Sequence, residues 1–126
     1  MNVVDSSGWL EYFAEGPNAD FFAPAIENTA ELLVPVMCVY EVFKRILQQQ
    51  GLGAAETRMA DLYTGELIDL TPSLAISAAV LSDRLKLPMA DSLILSIARA
   101  HNATLWTQDE HFKGMQGVKY IAKQES

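Results

Sequence analysis

Short apolar segments alternate with helix-like segments along the whole chain. Each apolar segment is five or six residues long. In most of them the apolar positions do not alternate with polar ones, which is the pattern of strands buried on both faces of a parallel sheet. Strands are therefore predicted at residues 1–5, 31–36, 66–70 and 103–107, with 118–122 as a candidate fifth strand.

Between these strands, apolar residues recur at the three- and four-residue spacing of a helix face. Ser6 or Ser7 is the expected N-cap of the first helix, and Pro24 is expected to interrupt the second. The sixth helix is apolar almost all round and should be buried. Helices are predicted at residues 6–16, 18–31, 38–50, 54–65, 72–86 and 87–102, with a helical turn at 109–114.

A chain in which strands take turns with helices builds a parallel sheet covered by helices on both faces. The predicted fold class is α/β, with three layers and a central, mostly parallel sheet of four or five strands. Its 126 residues suit one globular domain, so residues 1–126 are expected to form a single domain. In such sheets, ligands bind outside the carboxyl ends of the strands.

The charge of the chain limits how it could meet a nucleic acid. A formal charge of −7 and an isoelectric point near 4.6 argue against long-range attraction, which depends on many Lys and Arg contacts to phosphate. Any contact with a nucleic acid must therefore depend on a few local cations. Solvated surface charge or a local ion pair is the favoured interpretation for each of the candidate phosphate contacts, which are Lys44, Arg45, Arg84, Lys86 and Arg99.

Nothing in the sequence indicates a membrane. No apolar run approaches the roughly 20 residues that span a bilayer, and the N-terminus lacks the basic start and cleavage site of a signal peptide. The expected location is the cytoplasm, with no membrane partner.

Two acidic residues follow predicted strands. Asp5 ends the first strand, and Asp109 lies two residues past the fourth. Because the carboxyl ends of parallel strands meet at one edge of a sheet, both are expected at the same rim. Each has a structural alternative, since Asp5 could cap the first helix and Asp109 the turn that follows it.

Two further acids lie on predicted helices. Apolar residues stand three, four and seven positions after Asp91, so its carboxylate lies on the apolar stripe of a buried helix, where it needs a partner or a cation. Its alternative is a favourable place near the positive end of the helix dipole. Glu41 points away from the apolar stripe of its own helix, and Arg45 lies four residues further on. Periodicity alone therefore predicts a solvated ion pair between Glu41 and Arg45.

Carboxylates gathered at one rim repel each other, and a hard divalent cation makes such a cluster tolerable. Four segments resemble, in type and order, the acidic motifs of the PIN-domain ribonucleases, and the chain is also similar to the VapC-type toxins of toxin–antitoxin pairs. The segments are VVDSSGWLEYF at 3–13, VYEVFKRIL at 39–47, PMADSLILSIARAHNATLWTQD at 88–109 and TQDEHF at 107–112. The resemblance identifies Thr107 as a supporting hydroxyl residue and gives an acidic tetrad of Asp5, Glu41, Asp91 and Asp109.

The resemblance implies a PIN-like fold and an enzymatic function. Members of the family cut RNA phosphodiester bonds with a metal-activated water, so an endoribonuclease that depends on Mg²⁺, or on Mn²⁺, is expected, with Asp5, Asp91 and Asp109 as metal ligands. As the toxin of a type II toxin–antitoxin system, it would bind a VapB-like antitoxin and form a homodimer or a higher hetero-assembly. The alternative is a catalytically degenerate PIN-like module that acts through protein contacts.

One position departs from the family's pattern. Many relatives carry another acid two positions after the fourth, where this chain has His111. A neutral imidazole is a poorer Mg²⁺ ligand than a carboxylate, so the sequence does not decide whether the protein has a second metal site. Glu110 could compensate, although a solvent-facing role is expected for it.

Overall fold

The computed structural model describes residues 1–125 and has a five-stranded sheet at its centre. The sheet is parallel throughout, and its strand order is β3-β2-β1-β4-β5. All five predicted strands are confirmed, although each is shorter than its apolar segment. The strands are β1 (Asn2–Val4), β2 (Leu32–Pro35), β3 (Glu66–Ile68), β4 (Thr104–Thr107) and β5 (Val118–Tyr120).

Six α-helices connect these strands in the described part of the chain, as the spacing predicts. Two short 3₁₀ turns, Thr29–Glu31 and Glu110–Phe112, precede β2 and follow β4. Within residues 1–125, no helix has the length and apolarity needed to cross a membrane. The helices are α1 (Ser6–Phe13), α2 (Ala19–Glu27), α3 (Val36–Gln50), α4 (Leu52–Leu62), α5 (Pro72–Leu85) and α6 (Met89–Ala100).

The structure corrects two local expectations. The N-cap of α1 is Asp5 and neither Ser6 nor Ser7, because β1 ends one residue earlier than predicted and frees Asp5 for this position. Pro24 does not interrupt α2. Pro24 and Asp20, four residues before it, are both exposed, so the carbonyl group that loses its hydrogen-bond partner lies on the solvent side of the helix.

The sheet has an apolar core on each face. Val4, Leu32 and Val34 belong to one buried cluster, which includes residues of α1, α2, α3 and α4. Val3 and Leu33 belong to the other, which includes residues of α6. Successive side chains of a strand point to opposite faces, so both faces of β1 and β2 are covered and the three-layer prediction is confirmed.

The sheet order brings the ends of β1 and β4 together. Val4 is paired with Trp106, and the backbone N–H of Asp5 donates a hydrogen bond to the Trp106 carbonyl over 3.1 Å. β1 lies next to β4. The connection after β1 runs to β2 on one side of this pair, and the connection after β4 runs to β5 on the other side. A crevice forms at such a switch point, outside the carboxyl ends of the strands.

Gly8 lets the first turn of α1 approach the core at this point. A Cβ atom on Gly8 would lie 2.6 Å from Phe22 Cε1 and 2.6 Å from Val4 Cγ1, and both of these side chains are fully buried. Gly8→Ala is therefore expected to lower the free energy of unfolding by about 2 kcal/mol through overpacking, measured by urea denaturation. Gly53→Ala is the matched control in α4, because a Cβ there meets nothing within 4 Å. Equal urea midpoints for the two variants would contradict this packing argument.

Candidate active site

The four predicted acids lie on one cleft at the carboxyl edge of the sheet. The cleft has a volume of about 290 Å³. Asp5 follows β1, Glu41 lies on α3, Asp91 lies in the first turn of α6, and Asp109 caps the 3₁₀ turn after β4. The structure thus gathers four residues that are far apart in the sequence. The residues that line the cleft are Asp5, Ser6, Ser7, Leu10, Glu41, Arg45, Asp91, Ile94 and Asp109.

Asp5 is the most deeply buried of these acids, with 3% of its surface exposed. Its Oδ1 atom accepts hydrogen bonds from the Gly8 backbone N–H over 2.9 Å and from the Ser7 hydroxyl over 2.8 Å, and Oδ2 accepts one from Thr107 over 2.6 Å. Burial nevertheless raises the pKa of Asp5 to about 6, because the loss of hydration outweighs the three hydrogen bonds. The residue therefore caps α1 and also lines the cleft.

Thr107 connects two of the acids. Its hydroxyl group donates to Asp5 Oδ2 over 2.6 Å and accepts a hydrogen bond from the backbone N–H of Asp109 over 2.9 Å. Thr107 is fully buried at the end of β4. These contacts fix Asp5 relative to Asp109, which is the arrangement that a supporting hydroxyl residue requires.

Glu41 faces α1 in this structure. The Ser6 hydroxyl donates to Glu41 Oε1 over 2.6 Å. An ion pair between Glu41 and Arg45, expected from periodicity alone, is absent from the described residues. The helix spacing could not show this contact, because α1 approaches α3 only in the folded chain.

Asp91, Asp109 and His111 form a compact group of potential metal ligands. Each residue offers one ligand atom, and these atoms all lie within 4.8 Å of one another. His111 Nδ1 lies 2.9 Å from Asp91 Oδ2 and 3.2 Å from Asp109 Oδ1. Burial raises the pKa of Asp91, and the hydrogen bond to Asp91 is the main cause that raises the pKa of His111. Asp5 lines the same cleft but is not a member of this group.

The contacts of the His111 side chain were not predictable from the sequence. Its two-residue separation from Asp109 is visible in the sequence, but the contact of its ring with Asp91 depends on the 3₁₀ turn Glu110–Phe112. Glu110 is exposed and does not line the cleft, as its expected solvent-facing role requires.

The candidate phosphate contacts are distributed over the surface. Arg45 lines the acidic cleft. Arg99 donates to the Gln116 carbonyl over 3.5 Å, and Lys86 lies 3.9 Å from a carboxylate oxygen of Asp83. Among these, Arg45 is therefore the cation placed to meet a ligand of the cleft.

Two cations that the sequence analysis does not single out line the same groove as Arg45. Arg58 and Lys123 line an adjoining groove of about 290 Å³, which shares Ser7, Leu10 and Arg45 with the acidic cleft. No local pattern could reveal this groove, because α4 and the C-terminal segment reach it only through the tertiary fold.

The residues of the cleft fit a divalent cation. Carboxylate oxygens are the ligands that Mg²⁺ and Mn²⁺ prefer, and an imidazole nitrogen suits transition ions. The 4.8 Å limit on the ligand atoms of Asp91, Asp109 and His111 leaves room for one shared ion. Asp5 Oδ2 accepts a single hydrogen bond, so a lone pair of this oxygen is still available.

The fold and the cleft define an α/β protein with an acidic site at the carboxyl edge of a parallel sheet. The model of the PIN domain family matches residues 3–118. The chain therefore belongs to the PIN domain family.

Solved structures with the same fold include three bacterial ones. A toxin–antitoxin complex from Klebsiella pneumoniae is 23% identical, with a TM-score of 0.78 and coverage of 94% of this chain and 96% of that one. VapBC2 from Rickettsia felis, bound to a DNA fragment from its promoter, is 17% identical, with a TM-score of 0.74 and coverage of 96% and 97%. The Mycobacterium tuberculosis toxin VapC20, which cleaves the sarcin–ricin loop, is 14% identical, with a TM-score of 0.73 and coverage of 92% and 95%. No curated protein matches the chain in sequence.

Proposed function

We propose that this protein is a divalent-cation-dependent endoribonuclease and the toxin of a type II toxin–antitoxin pair. The observation that carries the proposal is the convergence of Asp5, Glu41, Asp91 and Asp109 on one cleft of a PIN domain. Four carboxylates around so small a volume form a strongly negative site. Such a site attracts a cation, and it repels the phosphates of a nucleic acid when no cation is bound.

Asp5, Asp91 and Asp109 are the residues that would hold Mg²⁺ or Mn²⁺. A divalent ion bound there supplies Lewis-acid chemistry, because it lowers the pKa of bound water and offsets charge on a phosphate. Thr107 keeps Asp5 and Asp109 in a fixed relation through its two hydrogen bonds. Such contacts around a metal site orient the carboxylates before the ion arrives.

Glu41 is the acid that we assign to the attacking water. It is half-buried and lies on the α3 side of the cleft, where the Ser6 hydroxyl holds Oε1. Its other oxygen, Oε2, remains available to accept a hydrogen bond from water and so to orient it toward the phosphate.

RNA would reach this acidic cleft along a local cationic path. Arg45 lines the cleft itself, and Arg58 and Lys123 line the groove beside it. Arg45 and Lys123 would contact phosphates of the RNA, which compensates locally for the net charge of −7. Arg58 would join them although its Nη1 also lies 3.9 Å from Asp61 Oδ2.

Toxin–antitoxin complexes among the structures of this fold support a protein partner. The structures from Klebsiella pneumoniae and Rickettsia felis are such complexes, and the second is bound to promoter DNA. By analogy, this chain would bind a VapB-like antitoxin in the cytoplasm and form a homodimer or a higher hetero-assembly.

RNA cleavage in the presence of Mg²⁺ or Mn²⁺, and its loss in EDTA, is the expected result for the purified protein. The reason is that the carboxylates of the cleft repel an RNA phosphate unless a cation is bound between them. The measurement is product formation from total RNA and from structured RNA oligonucleotides, with calorimetric titration of each ion in parallel. Cation binding without any RNA product would favour the degenerate module that acts through protein contacts. Cleavage that persists in EDTA would remove the metal from the mechanism.

A further inference from the structure

His111 lies beside the acidic cleft, and one of its ring nitrogens contacts two of the carboxylates that line it. Nδ1 is 2.9 Å from Asp91 Oδ2 and 3.2 Å from Asp109 Oδ1. We infer that His111 Nδ1 is a protein ligand of the divalent cation, beside Asp91 and Asp109, and that this nitrogen makes the site select Mn²⁺ over Mg²⁺. The inference rests on the metal site of the proposed function and extends it to the choice of ion.

The spacing of the three atoms suits ligands of one ion. Two ligand atoms that each lie about 2.1 Å from an octahedral cation are about 3.0 Å apart when they occupy neighbouring positions. The two distances from Nδ1, 2.9 and 3.2 Å, lie close to this value. The ring therefore needs little movement to coordinate an ion together with both carboxylates.

The backbone holds His111 in this position. Its N–H donates to Asp109 Oδ1 over 2.9 Å, and the next residue, Phe112, is fully buried in the core. The side chain itself is 54% exposed. Nδ1 can therefore lose its proton to solvent and bind the cation through its lone pair. The neutral ring then keeps its proton on Nε2.

The type of donor atom determines which ion is preferred. Mg²⁺ strongly prefers oxygen ligands, whereas an imidazole nitrogen is a good ligand for transition ions. Asp91 and Asp109 supply oxygen to either ion. His111 supplies a nitrogen from which Mn²⁺ gains more than Mg²⁺ does, so the ratio of the two affinities depends on this residue.

Pulsed electron paramagnetic resonance of the Mn²⁺-loaded protein tests the coordination directly. A coordinated imidazole gives ¹⁴N modulation on the Mn²⁺ echo, and the chain has two histidines. His101 is the matched control, because it caps the far end of α6, about ten residues and about 15 Å from Asp91. The modulation is expected in the wild type and in His101→Gln, and it is expected to disappear in His111→Gln. Modulation that persists in His111→Gln would overturn the inference.

Ion selectivity gives a second measurement, independent of RNA cleavage. His111→Asp should lower the ratio of Mn²⁺ to Mg²⁺ affinity by about tenfold in calorimetric titrations, while His101→Gln should leave it unchanged. An unchanged ratio in His111→Asp would overturn the inference. Circular dichroism and thermal unfolding of each variant confirm that the fold is retained.

The two failures are distinguishable. Mn²⁺ that binds the wild type without ¹⁴N modulation would overturn the role of His111 and leave the proposed carboxylate site standing. A wild-type protein that binds neither ion and cuts no RNA would overturn the proposed function, and the inference with it.

Discussion

Replacing Asp5 with asparagine is expected to reduce RNA cleavage at least about a hundredfold while the fold is retained. The change removes one negative charge from the cleft and keeps the shape of the side chain. The amide oxygen can still accept the capping hydrogen bond from the Gly8 N–H. The Thr107 hydroxyl, which now donates to Asp5, can accept a hydrogen bond from the amide group instead. The rate of cleavage under saturating Mn²⁺ or Mg²⁺ is the measurement.

Asp69→Asn is the matched control for this variant. Asp69 follows β3 directly, as Asp5 follows β1, but it is exposed and lies outside the lining of the acidic cleft. Its substitution should leave the cleavage rate within about twofold of the wild type, as surface substitutions usually do. Full activity of Asp5→Asn would remove Asp5 from the catalytic set. Unfolding of Asp5→Asn would return the residue to a purely structural role as the cap of α1.

Capping and catalysis are compatible at Asp5 because a carboxylate has two oxygens. Oδ1 takes both bonds from α1, whereas Oδ2 takes a single bond from Thr107. From the sequence, the cap and the ligand look like alternatives, since a pattern assigns one role to one residue. In the structure the cap uses Oδ1, and Oδ2 is the atom that the proposed ligand role would use.

The fold class was predictable because short apolar segments alternate with segments of helical spacing along the chain. Val3 and Val4 are adjacent and both fully buried, on opposite faces, as expected for a short strand covered on both sides. Once the sheet is parallel, Asp5 and Asp109 must share its carboxyl edge. That geometric rule needs no knowledge of any particular contact.

The partners of the site were not predictable in the same way. Periodicity places Arg45 near Glu41 on α3, yet the observed partner is Ser6 of α1. His111 lies in a 3₁₀ turn directly after Asp109, and from there its ring reaches Asp91. Such contacts depend on how elements pack or on a local turn angle, and neither leaves a repeating signal in the sequence.

The stability of the cation-free protein, relative to Asp5→Asn, is expected to fall as the pH rises from about 4 to about 6. Burial raises the pKa of Asp5 from its ordinary value of 3.8 to about 6 in the folded state. The folded state therefore binds this proton more tightly than the unfolded state. The resulting stabilisation is complete below pH 3.8, declines as the pH rises, and is lost above the folded pKa. The full difference corresponds to about 3 kcal/mol.

Urea denaturation of the wild type and Asp5→Asn, in EDTA at several pH values between 4 and 7, measures this decline. Subtracting the two curves removes the contributions of Asp91 and His111, which are present in both proteins. Desolvation is the largest cause of the raised pKa and repulsion by Asp109 the smallest, so the loss reflects the burial of a charge more than a clash between acids. Saturating Mg²⁺ or Mn²⁺ should reverse the trend, because a cation in the cleft stabilises the ionised carboxylate. A wild-type minus Asp5→Asn difference that stays constant over this range would mean that the folded chain hydrates Asp5 as well as the unfolded chain does.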